Sequence, residues 1–96
     1  MTAAFAVRTT SRFERTFDKL VRQHRELAGY YAHVVQVLQT DPYNQSRSHP
    51  IKKLTDVPGG DGQYRIRTGR FRFRYDIDGQ VVWLKACSRR REETYS

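Results

Sequence analysis

The chain has 96 residues, with 18 Lys and Arg against 10 Asp and Glu, and a net charge of +8. That length makes a single domain, residues 1–96, with one modest core and no room for a separate cofactor domain. No apolar run approaches the ~20 residues of a membrane span, and the N-terminus lacks the basic-then-apolar pattern of a signal peptide, so no membrane partner is expected.

Residues 4–9 read as a short first strand. Ser11 is the expected helix cap, and Glu14, three positions on, completes a capping box. The helix that follows carries Phe13, Phe17, Leu20 and Val21 on one apolar stripe. The pattern loosens at Ala28 and Gly29. A second stripe, Leu27, Tyr31, Val34, Val35 and Leu38, predicts a second helix. It ends at Asp41-Pro42, because proline disfavours helix for the residue before it. The two helices make a hairpin.

From Pro42 to Gly62 lie all three prolines and three of the six glycines, the marks of a long loop that holds Lys52 and Lys53. Beyond it the pattern has period two. Tyr64 and Ile66 alternate with Arg65 and Arg67; Phe71, Phe73, Tyr75 and Ile77 alternate with Arg72, Arg74 and Asp76. Gly69-Arg70 is an expected turn. Asp78-Gly79 predicts a two-residue hairpin turn, and Val81–Cys87 the last strand. The expected fold class is α+β with the order β-α-α-β-β-β: a helical hairpin packed on one face of a small, mainly antiparallel, twisted sheet.

Those turns set a register. Tyr75 faces Val82, Phe73 faces Leu84, Arg65 faces Arg74 and Arg67 faces Arg72. One face then collects Tyr64, Ile66, Phe71, Phe73, Tyr75, Ile77, Val82 and Leu84, which the helices must cover. The other collects Arg65, Arg67, Arg72, Arg74 and Lys85, with Trp83 opposite Arg74 as a cation–π partner or a platform for a base. Between Tyr64 and Arg91, nine basic residues stand against Asp76 and Asp78, so this stretch carries +7 of the +8. Like charges directly opposite each other destabilise a sheet by a few tenths of a kcal/mol. A face so nearly one-signed points to an anionic partner, nucleic acid or an acidic protein. Arginine suits phosphate, which it contacts in bidentate fashion.

Cys87, the single cysteine, excludes an internal disulfide framework and a cysteine-based zinc site. His24, His33 and His49 lack ligand spacing. No metal and no cofactor is expected, and a reducing cytoplasm is the expected location.

Several segments, in order, resemble the RelE/ParE superfamily of type II toxin–antitoxin toxins. These are the first helix around Phe13–Leu20, Asp41-Pro42-Tyr43, Lys53-Leu54, the strand Tyr64–Arg67, the run Gly69–Tyr75, and the basic tail Arg89–Tyr95. The resemblance implies a cognate antitoxin partner in a toxin–antitoxin hetero-oligomer. In the RelE branch it implies a ribosome-dependent endonuclease that contacts mRNA and 16S rRNA. In the ParE branch it implies inhibition of DNA gyrase without a nuclease site. A non-enzymatic module that binds RNA or antitoxin is the third reading.

The RelE pattern has two alternating basic residues on the second strand, here Arg65 and Arg67. It has an Arg after an aromatic on the third strand, here Arg72 after Phe71. It has an Arg six positions before a terminal Tyr, here Arg89 and Tyr95. The resemblance therefore implies a catalytic set of Arg65, Arg67, Arg72, Arg89 and Tyr95. Lys52, Lys53, Arg74, Lys85, Arg90 and Arg91 are the expected RNA-binding residues. The chain departs from the pattern twice. The second strand carries Arg where RelE-like enzymes tend to carry Lys, and Arg90 stands where other members place His. The implied chemistry is metal-independent attack of a 2′-OH on the adjacent phosphorus. Arg67, Arg72 and Arg89 are expected to converge on that phosphate. The proton acceptor stays open among His49, Lys52 and Lys53.

Overall fold

A computed structural model describes residues 4–90. Its elements are β1 (Ala6–Thr9), α1 (Ser11–Gln23), α2 (Leu27–Thr40), β2 (Ile51–Lys53), β3 (Tyr64–Thr68), β4 (Phe71–Asp78) and β5 (Val81–Arg89). They form an α+β fold in which the strands make one five-stranded sheet, ordered β1-β5-β4-β3-β2. The chain returns from the helices so that β1 pairs parallel to β5, and every other pairing is antiparallel.

The expected α+β class and helical hairpin are present, and several details differ. The cap of α1 is Thr10, not Ser11. Thr10 is extended and its hydroxyl accepts from the Phe13 amide at 3.1 Å. Glu14 turns instead to the Thr9 hydroxyl. The break between the helices falls at 24–26, where the His24 amide closes on the Leu20 carbonyl at 2.8 Å; Gly29 lies inside α2. The buried stripe of α2 is Leu27, Val34, Val37 and Leu38, with Val37 in the place expected for Val35.

The loop after α2 contains a strand that composition hides. β2 lays Ile51, Lys52 and Lys53 against Ile66, Arg65 and Tyr64. Three residues are too few for a visible alternation, and Pro50 just ahead reads as loop.

The last hairpin turns at Gly79-Gln80, with Asp78 opposite Val81. Gly79 sits at φ +61, the left-handed region, at the first central position of the turn. The partners of β4 therefore shift by two residues: Ile77 faces Val82, Tyr75 faces Leu84, and Trp83 faces Asp76 instead of Arg74. A shift of two keeps every side chain on its expected face. A bulge then changes parity. Tyr75 pairs with Leu84 but Arg74 pairs with Ala86, which leaves Lys85 as the extra residue. Beyond it Cys87 turns inward, opposite Phe73, and is buried. Burial pushes its thiol up to about 12, so it behaves as a small apolar residue.

The core lies between the helical hairpin and one face of the sheet. Phe13, Leu27, Val34 and Leu38 meet Ile66, Phe71, Phe73, Tyr75, Val82 and Leu84. Aromatic rings interlock there, with Phe17 and Tyr31 at 4.7 Å and Phe13 and Phe73 at 6.2 Å between centroids. Tyr75 is fully buried and its hydroxyl donates to the Pro42 carbonyl at 2.7 Å. That bond ties the middle of the sheet to the chain leaving α2.

Candidate nucleic-acid interface

The helices cover one face of the sheet, so the alternation leaves the other to the charged residues. Register arranges them in transverse rows. Lys52, Arg65, Arg74 and Ala86 lie across β2, β3, β4 and β5. Arg67, Arg72 and Ser88 form the next row. Directly opposed residues on one face stand ~4.5–5.5 Å apart at Cβ, so the guanidiniums are forced together.

Arg65 is the centre of this cluster. Burial first, and then the charges of Arg72, Arg67, Arg90 and Arg74, hold its pKa below the ordinary arginine range. The Nε atoms of Arg65 and Arg72 are buried and have no hydrogen-bond partner among the described residues. Buried polar groups are normally paired, and an orphaned charged donor is costly. Both donors belong to one cation cluster, a chemistry suited to an anion.

Asp76 and Asp78 are the acids on the sheet part of this face, and Asp76 is already engaged. Its carboxylate accepts the amides of Gly62 and Gln63, both at 2.9 Å. Arg74 clamps the same turn, with Nε donating to the Gly62 carbonyl at 3.1 Å. Gly62 is required there: it has φ +84, and a Cβ would stand 2.9 Å from the Arg74 Cβ. These bonds hold the segment 55–62 beside the basic rows. It walls a cleft of about 550 Å³ whose other sides include Arg12, Arg74, Lys85 and Ala86.

The structure brings together Arg65, Arg67, Arg72 and Arg74, as the alternation implies, with Lys52 and Arg90 of the expected RNA-binding residues beside them. The Arg90 amide bonds the Arg70 carbonyl, and its charge acts on Arg65. Lys85 stands near them at the bulge. Two expected members lie elsewhere. Lys53 pairs with Tyr64 on the helix-side face, its Nζ 5.8 Å from that ring. Arg89 pairs with Phe71, also a residue of the helix-side face, so the expected convergence of Arg67, Arg72 and Arg89 is not found. The bulge at Lys85 is the cause, because it inverts which residues of the strand end face outward. Arg91 and Tyr95 lie outside the described residues.

His49 belongs to a separate network. Its Nε2 is 3.7 Å from Asp41, and Asn44 bonds both its amide and its carbonyl. Burial works to raise the Asp41 pKa, but the Ser46 hydroxyl, the Gln45 and Ser46 amides and His49 outweigh it and hold the carboxyl below its usual range.

Arg12, in the first turn of α1, is a cleft residue with no signal in the sequence. It lines the cleft together with residues of the 56–61 segment, a proximity no local pattern encodes. Among the described residues no cluster of His, Cys, Asp or Glu is built to hold a metal ion, and no helix is long and apolar enough to cross a membrane.

No protein-family model matches the sequence, and no curated protein matches it. Solved structures do. A chain of the toxin–antitoxin complex RelBE2 from Mycobacterium tuberculosis superposes with a TM-score of 0.71 at 24% identity, over 94% of this chain and 95% of that one. A chain of the archaeal RelE–RelB complex from Pyrococcus horikoshii OT3 gives a TM-score of 0.62 at 19% identity, over 94% and 99%. Over nearly its whole length, then, this chain has the fold found in RelE–RelB assemblies.

Proposed function

We propose that this protein is the toxin of a type II toxin–antitoxin pair and a RelE-like endoribonuclease that cleaves mRNA on the ribosome. The observation that carries the reading is the guanidinium cluster of Arg65, Arg67, Arg72, Arg74 and Arg90, with two buried Nε donors that have no hydrogen-bond partner among the described residues. The fold shared with chains of two RelE–RelB complexes supports it.

The chemistry follows from the residue types. A ribose 2′-OH attacks the adjacent phosphorus, the bond to the 5′-oxygen breaks, the 2′-OH proton passes in net to that departing oxygen, and a 2′,3′-cyclic phosphate and a 5′-OH remain. The transition state gathers negative charge on the phosphoryl oxygens. Fixed cations placed before the substrate arrives stabilise that charge without reorganisation. Arg65 and Arg72 supply the unpaired donors, Arg67 stands beside Arg72, and Arg74, Lys52 and Lys85 hold flanking phosphates. Arginine does not give up its proton, so these groups act by charge and position, with the RNA held in line for attack. The tail contribution falls to Arg90 on the cluster side. The antitoxin, in this reading, is an acidic segment that covers the same face.

Induction of the chain alone tests this. Growth should stop, and Arg72→Ala or Arg67→Ala should restore it while thermal melting shows a folded protein. Arrest that persists in both variants, with a DNA-damage response and intact mRNA, would move the protein to the gyrase-inhibiting branch.

A further inference from the structure

We propose that Trp83 is the floor of a nucleobase subsite beside the arginine cluster, so that a single-stranded nucleic acid is held by its phosphates on the arginines and by one stacked base on this ring. The inference rests on the nucleic-acid reading above and adds a position to it. Trp83 lies on the outer face of β5, opposite Asp76, and is only half-buried. An apolar ring of that size on a charged face, away from the core, calls for an occupant.

The surroundings suit a base. A second cleft, of about 360 Å³, has Trp83, Asp76, Asp78, Gly59, Gly60 and Lys85 among its walls. It shares Gly60 and Lys85 with the larger cleft that Arg74 lines, so the two adjoin. The rim is Gly59-Gly60, and a Cβ at either would meet nothing within 4 Å. A flat ligand therefore has open access. Both carboxylate oxygens of Asp76 are taken by the Gly62 and Gln63 amides, which leaves no free acceptor from that residue beneath the site.

Spacing agrees as well. Asp76 lies two residues along β4 from Arg74, about 6.6 Å at ~3.3 Å per residue, and Trp83 is its partner on the neighbouring strand, ~5 Å across. A phosphate on Arg74 and a base on Trp83 are thus within one nucleotide of each other. Lys85, the bulge residue, stands with its Nζ 6.0 Å from the Trp83 centroid, at the outer limit of cation–π range. It is placed to meet the phosphate of the stacked nucleotide. Aromatic platforms flanked by cations are how single strands are held without sequence readout.

Trp83 is the only tryptophan, so intrinsic fluorescence reports on this site alone. The probe is a single-stranded 2′-deoxy oligonucleotide, which lacks the attacking hydroxyl, with inorganic polyphosphate of equal charge as the base-free control. Binding of each is followed independently by anisotropy or calorimetry. The oligonucleotide should quench Trp83 in step with binding, and polyphosphate should bind without quenching. Trp83→Leu should weaken the oligonucleotide by roughly 5- to 150-fold, the range for one stacked base, and leave polyphosphate unchanged; Trp83→Phe should retain most of the affinity. Binding with no change at Trp83 would overturn the subsite and leave the nucleic-acid reading standing. Equal quenching by both ligands would also overturn it. Failure of the oligonucleotide to bind at all would overturn both.

Discussion

Arg72 and Arg89 stand on opposite faces of the sheet. Across β4 and β5, Arg72 pairs with Ser88 and Arg89 pairs with Phe71, a core residue. Two cations that the family resemblance brings to one phosphate are thereby set at positions of opposite faces. Arg72→Ala should lower the cleavage rate by about 100-fold or more, the usual loss for a donor to transition-state charge. Arg89→Ala should leave it near wild type, and Arg90→Ala should fall between. Equal losses at 72 and 89 in a single-turnover assay would contradict the register.

Arg65 holds its charge against its surroundings. Burial and four neighbouring arginines disfavour its charged form in the fold. Its pKa is lowered in the native state, so the cost is present wherever the group is charged and is relieved only as pH rises through the folded value. Arg65→Gln should therefore raise thermal stability, with each kcal/mol gained appearing as about 4–8 °C in Tm for a domain of this size. The same change should weaken RNA binding. It should also flatten the salt dependence. Each phosphate left without its cation takes about 0.7 from the slope of log K against log salt for a single strand. A variant that melts lower, or binds RNA with an unchanged slope, would show that Arg65 serves the fold.

Tyr75 tests the other face. Its hydroxyl meets the Pro42 carbonyl at 2.7 Å inside the core. Burial, with smaller contributions from Tyr64 and Asp41, pushes its pKa well above the ordinary value, so it remains a donor. Tyr75→Phe leaves that carbonyl unpaired and should cost about 1–3 kcal/mol in denaturant unfolding, with RNA affinity unchanged.

Asp41 gives the pH dependence. Its folded pKa lies below the ordinary value of 3.8. A lowered carboxylate contributes stability that is complete above the unfolded pKa and is lost as pH falls through the folded one. Asp41→Asn should remove that component. Wild type and variant should differ at neutral pH and converge as the pH drops below about 4, measured by urea unfolding across that range. A gap that stays constant with pH would contradict the network around Asp41.

The alternation from Tyr64 to Ile77 is enough to read the basic face, because period two maps directly onto the two sides of a sheet. Apolar spacing likewise marks both helices. What escapes is set by single residues whose neighbours are distant. The bulge at Lys85 answers to how β5 packs over Phe73 and Phe71, and no turn residue announces it. β2 exists because β3 offers it a partner, not because Ile51–Lys53 has strand character of its own. Thr10 takes the cap from Ser11 because its amide is already fixed against the Leu84 carbonyl at the end of β1. Trp83 meets Asp76 and not Arg74 because Gly79 is best used as the first residue of the turn.

Cleavage of mRNA by the arginine face is tested most directly by primer extension on cellular mRNA after brief induction of the chain without a partner, beside an Arg72→Ala control. New 5′ ends should appear at codon-phased positions and vanish in the control. Intact mRNA in arrested cells would contradict the endoribonuclease reading.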